Sequence, residues 1–221
     1  MPTRVLVLPS PLLGPVGYQP LAEALRGRGH AATVAECPVP GRPERLVEHW
    51  TRAADGVDLL VAHSNAGYLA PAVGARAGGL TVLFADAALP PAQGPTRLAP
   101  AELLPTLEEL ADDGGRLPPW TRWWPVEEMA RLLPAPWFGR VDAAAPRLDL
   151  DYFLTEVTPP QEWSTSGCGY LAFGTTYAAE LEFARDAGWP TAELPGHHLW
   201  LLARPDDVAA ALDDLADRLS G

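Results

Sequence analysis

The chain has 221 residues, a length that fits one domain, or one domain carrying an insertion. Apolar residues make up 48% and charged residues 20%, which provides a core and excludes global disorder. A formal net charge of -12 argues against nucleic acid and anionic membrane surfaces as partners.

No apolar run approaches the ~18 residues of a membrane span. The start, Arg4 followed by VLVLPSPLLG, faintly imitates a signal peptide. Pro9 and Pro11 interrupt it and no A-x-A site follows, so a first core strand and a cytoplasmic address are expected. Cys37 closes one expected strand and Cys168 precedes another, which in a parallel sheet are opposite ends, separated by about five residues at ~3.3 Å each. A disulfide needs Cα atoms within about 7 Å, so no bridge is expected. No cysteine or histidine spacing suggests a metal site.

In chain order, Arg4–Leu8 forms a buried strand ended by Pro9. A Pro/Gly-rich loop, 9–17, precedes a helix from about Tyr18, with Leu21 and Leu25 inward and Gly27 and Gly29 ending it. A strand at Ala32–Cys37 leads into a proline loop, 38–43, and a helix over Glu44–Ala54 with Leu46, Val47 and Trp50 facing the sheet. Next come a strand at Asp58–His63, a helix over Asn65–Ala77 that Pro71 could kink, and a strand at Leu80–Ala85. Strands alternating with helices predict a doubly wound, mostly parallel α/β sheet. The working residues of such sheets lie beyond the carboxyl ends of the strands, where Ser64 and Asp86 fall.

From Ala87 to Ser166 the alternation stops, and five of the eight tryptophans lie here: Trp120, Trp123, Trp124, Trp137 and Trp163. About eighty residues between two strands is too long for a loop, so 87–166 is expected to be an inserted, mainly helical cap. The core is then 1–86 plus 167–221. Short helices are predicted at Pro105–Asp112 and Pro125–Leu133. The tryptophans either pack within the insertion or, with Trp120, Trp123, Trp124 and Trp137 as candidates, line an apolar pocket above Ser64. The sheet pattern resumes at Gly169–Phe173, followed by a helix over Tyr177–Ala187 and a strand at Thr191–Leu194. Pro195-Gly196-His197-His198-Leu199 precedes a last helix opened by Pro205, with Val208, Leu212, Leu215 and Leu219 on one face.

The stretch with most chemistry in it is Asp58–Gly67, DLLVAHSNAG. A serine between a strand and a helix is either a helix cap or the nucleophile of a tight elbow. The elbow needs small neighbours, here Ala62, Ala66 and Gly67, and it turns the N–H of Asn65 toward a developing oxyanion. A serine hydroxyl needs an adjacent base, and the base an orienting acid. His197 and His198 follow the final strand at the rim of Ser64, and Asp86 follows the strand after the serine.

The whole chain resembles an α/β-hydrolase. The likeness rests on the AHSNAG elbow, the order Ser64…Asp86…His198, the FADAALP strand end, the insertion, and the PGHHL loop before the last helix. The family's N-terminal antiparallel hairpin has no counterpart. The resemblance implies His198 as base in preference to His197, because members commonly leave about six residues before the proline of the last helix. It places the acid either after the elbow's neighbouring strand, at Asp86, or after the next one. In the latter place Gly174-Thr175-Thr176-Tyr177 holds no carboxylate and Glu180 is the alternative. The second oxyanion donor should come from Pro9–Gly14; prolines lack an N–H, which leaves Ser10 or Leu12. The implied activity is hydrolysis of an ester or thioester with a bulky apolar group, through an acyl-Ser64 intermediate and with neither metal nor organic cofactor. The alternative is a cyclase, an isomerase or a binding protein for an apolar small molecule. The expected partner is an apolar or aromatic small molecule, and the chain is a monomer or homodimer. His63 matches the family's GHS pattern as a packing and hydrogen-bonding residue, and His30 and His49 belong to surface helix ends.

Overall fold

Arg4–Leu8 (β1) is buried from Val5 to Leu8, as a strand covered on both faces must be. The computed structural model describes residues 2–38, 41–165 and 167–220. Met1, Val39 and Pro40 of the proline loop, Ser166 at the end of the insertion, and Gly221 lie outside the described residues. After β1 the chain passes through a 3-10 turn, Pro15–Tyr18, into α1 (Gln19–Gly27). It continues through β2 (Ala31–Val34), α2 (Pro43–Ala53), β3 (Leu59–Ser64), α3 (Ala70–Arg76) and β4 (Thr81–Ala87). The second strand is shorter than expected: pairing with β1 ends within a residue of Val34, leaving Cys37 in the following loop. No disulfide joins Cys37 to Cys168.

Between β4 and the next core strand lie β5 (Thr96–Arg97), α4 (Leu104–Leu110), α5 (Val126–Leu132), α6 (Ala135–Ala144), α7 (Leu150–Leu154) and β6 (Glu156–Val157). Sequence periodicity predicts α4 and α5 to within a residue or two; it misses α6, α7 and the antiparallel β5–β6 pair. α6 reads PWFG rather than as an amphipathic repeat, and two-residue strands carry no alternation to detect. The core resumes with β7 (Cys168–Phe173), α8 (Ala178–Asp186), β8 (Thr191–Leu194), a short α9 (Trp200–Ala203) and α10 (Pro205–Ser220).

The six core strands run parallel in the order β2-β1-β3-β4-β7-β8. The winding reverses at β1, one neighbour lying on each side. Right-handed crossovers therefore put α1 on one face of the sheet and α2, α3 and α8 on the other. α10 packs beside α1, closing the first face. The reversal leaves a crevice at the carboxyl ends of β1 and β3, the place where open α/β sheets hold ligands.

Candidate active site

β3 delivers Ser64, and the turn after it is tighter than a plain strand-to-helix join. Ser64 has φ 56° and ψ -134°, a backbone conformation strained for any residue with a Cβ. The chain then makes a 3-10 turn, Asn65–Tyr68, before α3 starts with Pro71 in its first turn. The expected single helix is thus two pieces, and Pro71 opens the second instead of kinking a continuous one. The small neighbours have a visible cause: a Cβ at Gly67 would fall 2.0 Å from the Ala88 carbonyl oxygen.

β4 delivers the acid by a different device. His63 pairs with Ala85 and Ser64 with Ala87, so Asp86 is the extra residue of a β-bulge, with φ 44°. The bulge re-aims a side chain that strand geometry would bury elsewhere. β7 pins it from the far side. The Phe173 N–H donates to Asp86 Oδ1 at 2.9 Å, and the Tyr170 hydroxyl donates to the Ala87 carbonyl at 2.7 Å. Asp86 is wholly buried, and its other oxygen, Oδ2, lies 2.7 Å from His198 Nδ1. The opposite ring nitrogen, Nε2, is 3.1 Å from Ser64 Oγ. A carboxylate, an imidazole and a hydroxyl therefore form one continuous chain of contacts, with the geometry in which imidazole can take the serine proton.

The other candidates separate from these three. His197 turns away, its ring set edge-on to Trp200 at 5.4 Å. Glu180 is the third residue of α8 and stands on the wall of the cleft, where burial raises its pKa; it is not the partner of His198. In the loop after β1, the Ser10 N–H donates to the Tyr18 hydroxyl at 2.9 Å, so it is not available to an oxyanion. Of the two alternatives, Ser10 or Leu12, that leaves the Leu12 N–H, which makes only a long contact, 3.4 Å, to Ser10 Oγ. Asn65 opens the 3-10 turn, where a backbone N–H has no intrahelical acceptor.

A cleft of about 630 Å³ opens above Ser64 and His198. Trp120, Trp123, Trp124 and Phe153 from the insertion form one wall, and Tyr177 and Glu180 another. Trp137 is not part of it: on α6 its ring lies under the Arg140 guanidinium, 4.4 Å from the centroid, one turn away on the helix surface. Asn65 joins the two regions. Its side-chain amide donates to the Leu98 carbonyl and accepts from the Tyr152 hydroxyl, each at 2.6 Å.

Four tyrosines of the site escaped the sequence analysis: Tyr18, Tyr152, Tyr170 and Tyr177. The Tyr177 ring lies 5.5 Å from that of His198 and lines the cleft with Ser64. The signal was present in GYLAF, where a hydroxyl in a fully buried strand must find a partner. Among the described residues, no cluster of side chains is arranged to hold a metal ion and no helix is long and apolar enough to cross a membrane.

No family model and no curated relative matches the sequence. Solved structures do match, at full length. An extracellular α/β-hydrolase from a Paenibacillus species aligns over 97% of this chain and 99% of its own, with 16% identity and a TM-score of 0.72. Polyneuridine aldehyde esterase aligns over 98% and 100%, with 13% identity and a TM-score of 0.72. Tomato methylketone synthase I, solved with 2-tridecanone, aligns over 99% of both chains at 11% identity and a TM-score of 0.71. Together with the strand order and its parallel register, these likenesses identify the chain's architecture as the α/β-hydrolase fold.

Proposed function

We propose that the protein is a serine hydrolase that cleaves an ester or thioester with a bulky apolar group. The observation that carries this is the Ser64 Oγ–His198 Nε2–Asp86 Oδ2 chain, with spacings of 3.1 and 2.7 Å, at the floor of a cleft. His198 Nε2 takes the Ser64 proton as Oγ attacks the carbonyl, while Asp86 fixes the ring through the Nδ1–H. The backbone N–H groups of Asn65 and Leu12 receive the oxyanion. His198 then protonates the departing alkoxide or thiolate, and water attacks the acyl-Ser64 ester by the same route in reverse. Residues 87–166 act as a cap, and Trp120, Trp123 and Trp124 hold the apolar part of the substrate. This chemistry is complete with the side chains named. The test is treatment of the folded protein with a fluorophosphonate, followed by peptide mass spectrometry. An adduct on Ser64 is expected, and its absence would sink the proposal.

A second reading has one observation in its favour. The loop after β1, 9–14, offers the N–H of Leu12 alone, because Pro9 and Pro11 have none, Ser10 has given its own to Tyr18, and Leu13 and Gly14 donate theirs to the Ser10 carbonyl. Such a sparse hole would suit a lyase, cyclase or isomerase that builds up less negative charge on oxygen, and one structural neighbour is a methylketone synthase. Turnover of a candidate substrate by Ser64→Ala at the wild-type rate would favour it.

A further inference from the structure

Beneath the site lies a second, largely buried chain of hydrogen bonds that the proposed chemistry does not use. Ser10 N–H meets the Tyr18 hydroxyl at 2.9 Å; the same hydroxyl meets His63 Nδ1 at 2.8 Å; His63 Nε2 meets the backbone carbonyl of His198 at 2.9 Å. Ser10, Tyr18 and His63 are all 0% exposed. The His63 ring also stacks on the His198 ring, 4.6 Å between centroids at an interplanar angle of 23°.

The direction of every proton in this chain follows from its ends. A carbonyl oxygen only accepts, so His63 Nε2 carries the hydrogen. Burial, and then the neighbouring His198, depress the pKa of His63, so the ring is neutral and its Nδ1 is bare. Nδ1 must accept, which makes the Tyr18 O–H the donor and leaves its oxygen free to accept from Ser10. Three loops are thereby locked in one register: the loop after β1, the end of β3 beside the nucleophile, and the loop after β8 that carries the base.

We propose that Tyr18 and His63 are positioning residues that set the oxyanion donor and the base relative to Ser64 through this relay. Tyr18 acts by holding the Ser10 N–H inward. With prolines on both sides of Ser10 and the N–H groups of Leu13 and Gly14 bonded to the Ser10 carbonyl, that choice leaves Leu12, which lines the cleft, as the donor the loop can present. His63 acts by anchoring the backbone of His198, so that the imidazole is held at its main chain from below and at Nδ1 by Asp86. A neutral stacked ring does this without setting a like charge against the imidazolium that forms during attack.

This inference rests on the acyl-Ser64 mechanism, and the experiment keeps the two apart. Fluorophosphonate labelling of the wild-type protein decides the mechanism. The relay is decided by steady-state kinetics on an aryl ester, normalised to the sites the probe titrates, for Tyr18→Phe, His63→Gln and His63→Leu. Gln can donate at one end and accept at the other, as the neutral ring does; Leu fills the space and does neither. Expected are a fall in kcat of about tenfold to a hundredfold for Tyr18→Phe and His63→Leu, with KM nearly constant. That is less than the ~100- to 1000-fold loss on removing an oxyanion donor outright. His63→Gln should recover most of the loss. Equal losses for Gln and Leu, or kcat within about twofold of wild type for Tyr18→Phe, would overturn the proposal. Nitrogen-15 NMR of labelled histidine gives a measurement independent of turnover. A bare Nδ1 and a protonated Nε2 are expected for His63 at neutral pH, and the opposite tautomer or a charged ring refutes the relay even in a protein that labels at Ser64.

Discussion

The carboxyl edge of the sheet and the insertion above it are built by different rules. At the edge, each group of the proposed triad is held by a strand or by a bond to one: Ser64 ends β3, Asp86 is a bulge of β4 pinned by Phe173 of β7, and His198 follows β8. The insertion meets this edge through polar links such as Asn65 to Leu98 and Tyr152, and through aromatic and aliphatic contact, Trp120 beside the His198 ring and Val141 beside Gly17. Trp120 and Trp123 each pack against Trp124, which is 38% exposed at the cleft. On the proposed function, the edge would serve chemistry that fails with small displacements, whereas the aromatic wall would discriminate by shape and tolerate adjustment.

The contrast breaks if the edge tolerates change. Asp86→Asn keeps the shape of the bulge but can favour the wrong tautomer of His198, the change that costs about 10⁴ in kcat in a Ser-His-Asp triad. A loss of that order is expected in ester turnover, with KM little altered. Glu180→Gln, the alternative acid on the cleft wall, should change kcat by less than about tenfold. A reversal of the two results would remove Asp86 from the role proposed for it.

This difference also explains what could be anticipated from the sequence. The meeting of Ser64, Asp86 and His198 was legible because parallel strands place their carboxyl ends together, whatever the intervening chain does. The bulge at Asp86 was not, since its cause is a register shift against β3 and a clamp from Tyr170 and Phe173 some 85 residues on. Ser10 and Leu12 looked equivalent by composition, and only the tertiary bond from Ser10 to Tyr18 separates them. Trp137 was misplaced because α6 lacks a clear apolar period, so its facing could not be inferred.

The seam between the regions can be tested by one oxygen atom. Tyr152→Phe leaves Asn65 Oδ1 buried without its donor, a defect worth about 1–3 kcal/mol. Urea unfolding should show a loss within that range. Since Asn65 also contributes the proposed oxyanion N–H, kcat should fall along with stability. Unchanged kcat in a destabilised protein would mean that the turn after Ser64 holds itself and that Tyr152 serves the insertion alone.

The smallest effect concerns pH. Burial, and then the neighbouring His198, depress the pKa of both His63 and His197. Below about pH 6.5 the unfolded chain binds protons at these positions that the folded chain refuses, so stability is full above that value and declines as pH falls through it. The slope is at most about 1.4 kcal/mol per pH unit for each group. Glu180, raised by burial, acts in the opposite sense above its ordinary range near 4.5 and reduces the net slope. Chemical denaturation at pH 7.5 and 5.5 should therefore show the wild-type protein less stable at the lower pH. His63→Gln should narrow that gap, because an amide cannot take up the proton. If the gap is the same in both proteins, His63 does not titrate on unfolding and the edge owes its neutrality to something other than burial.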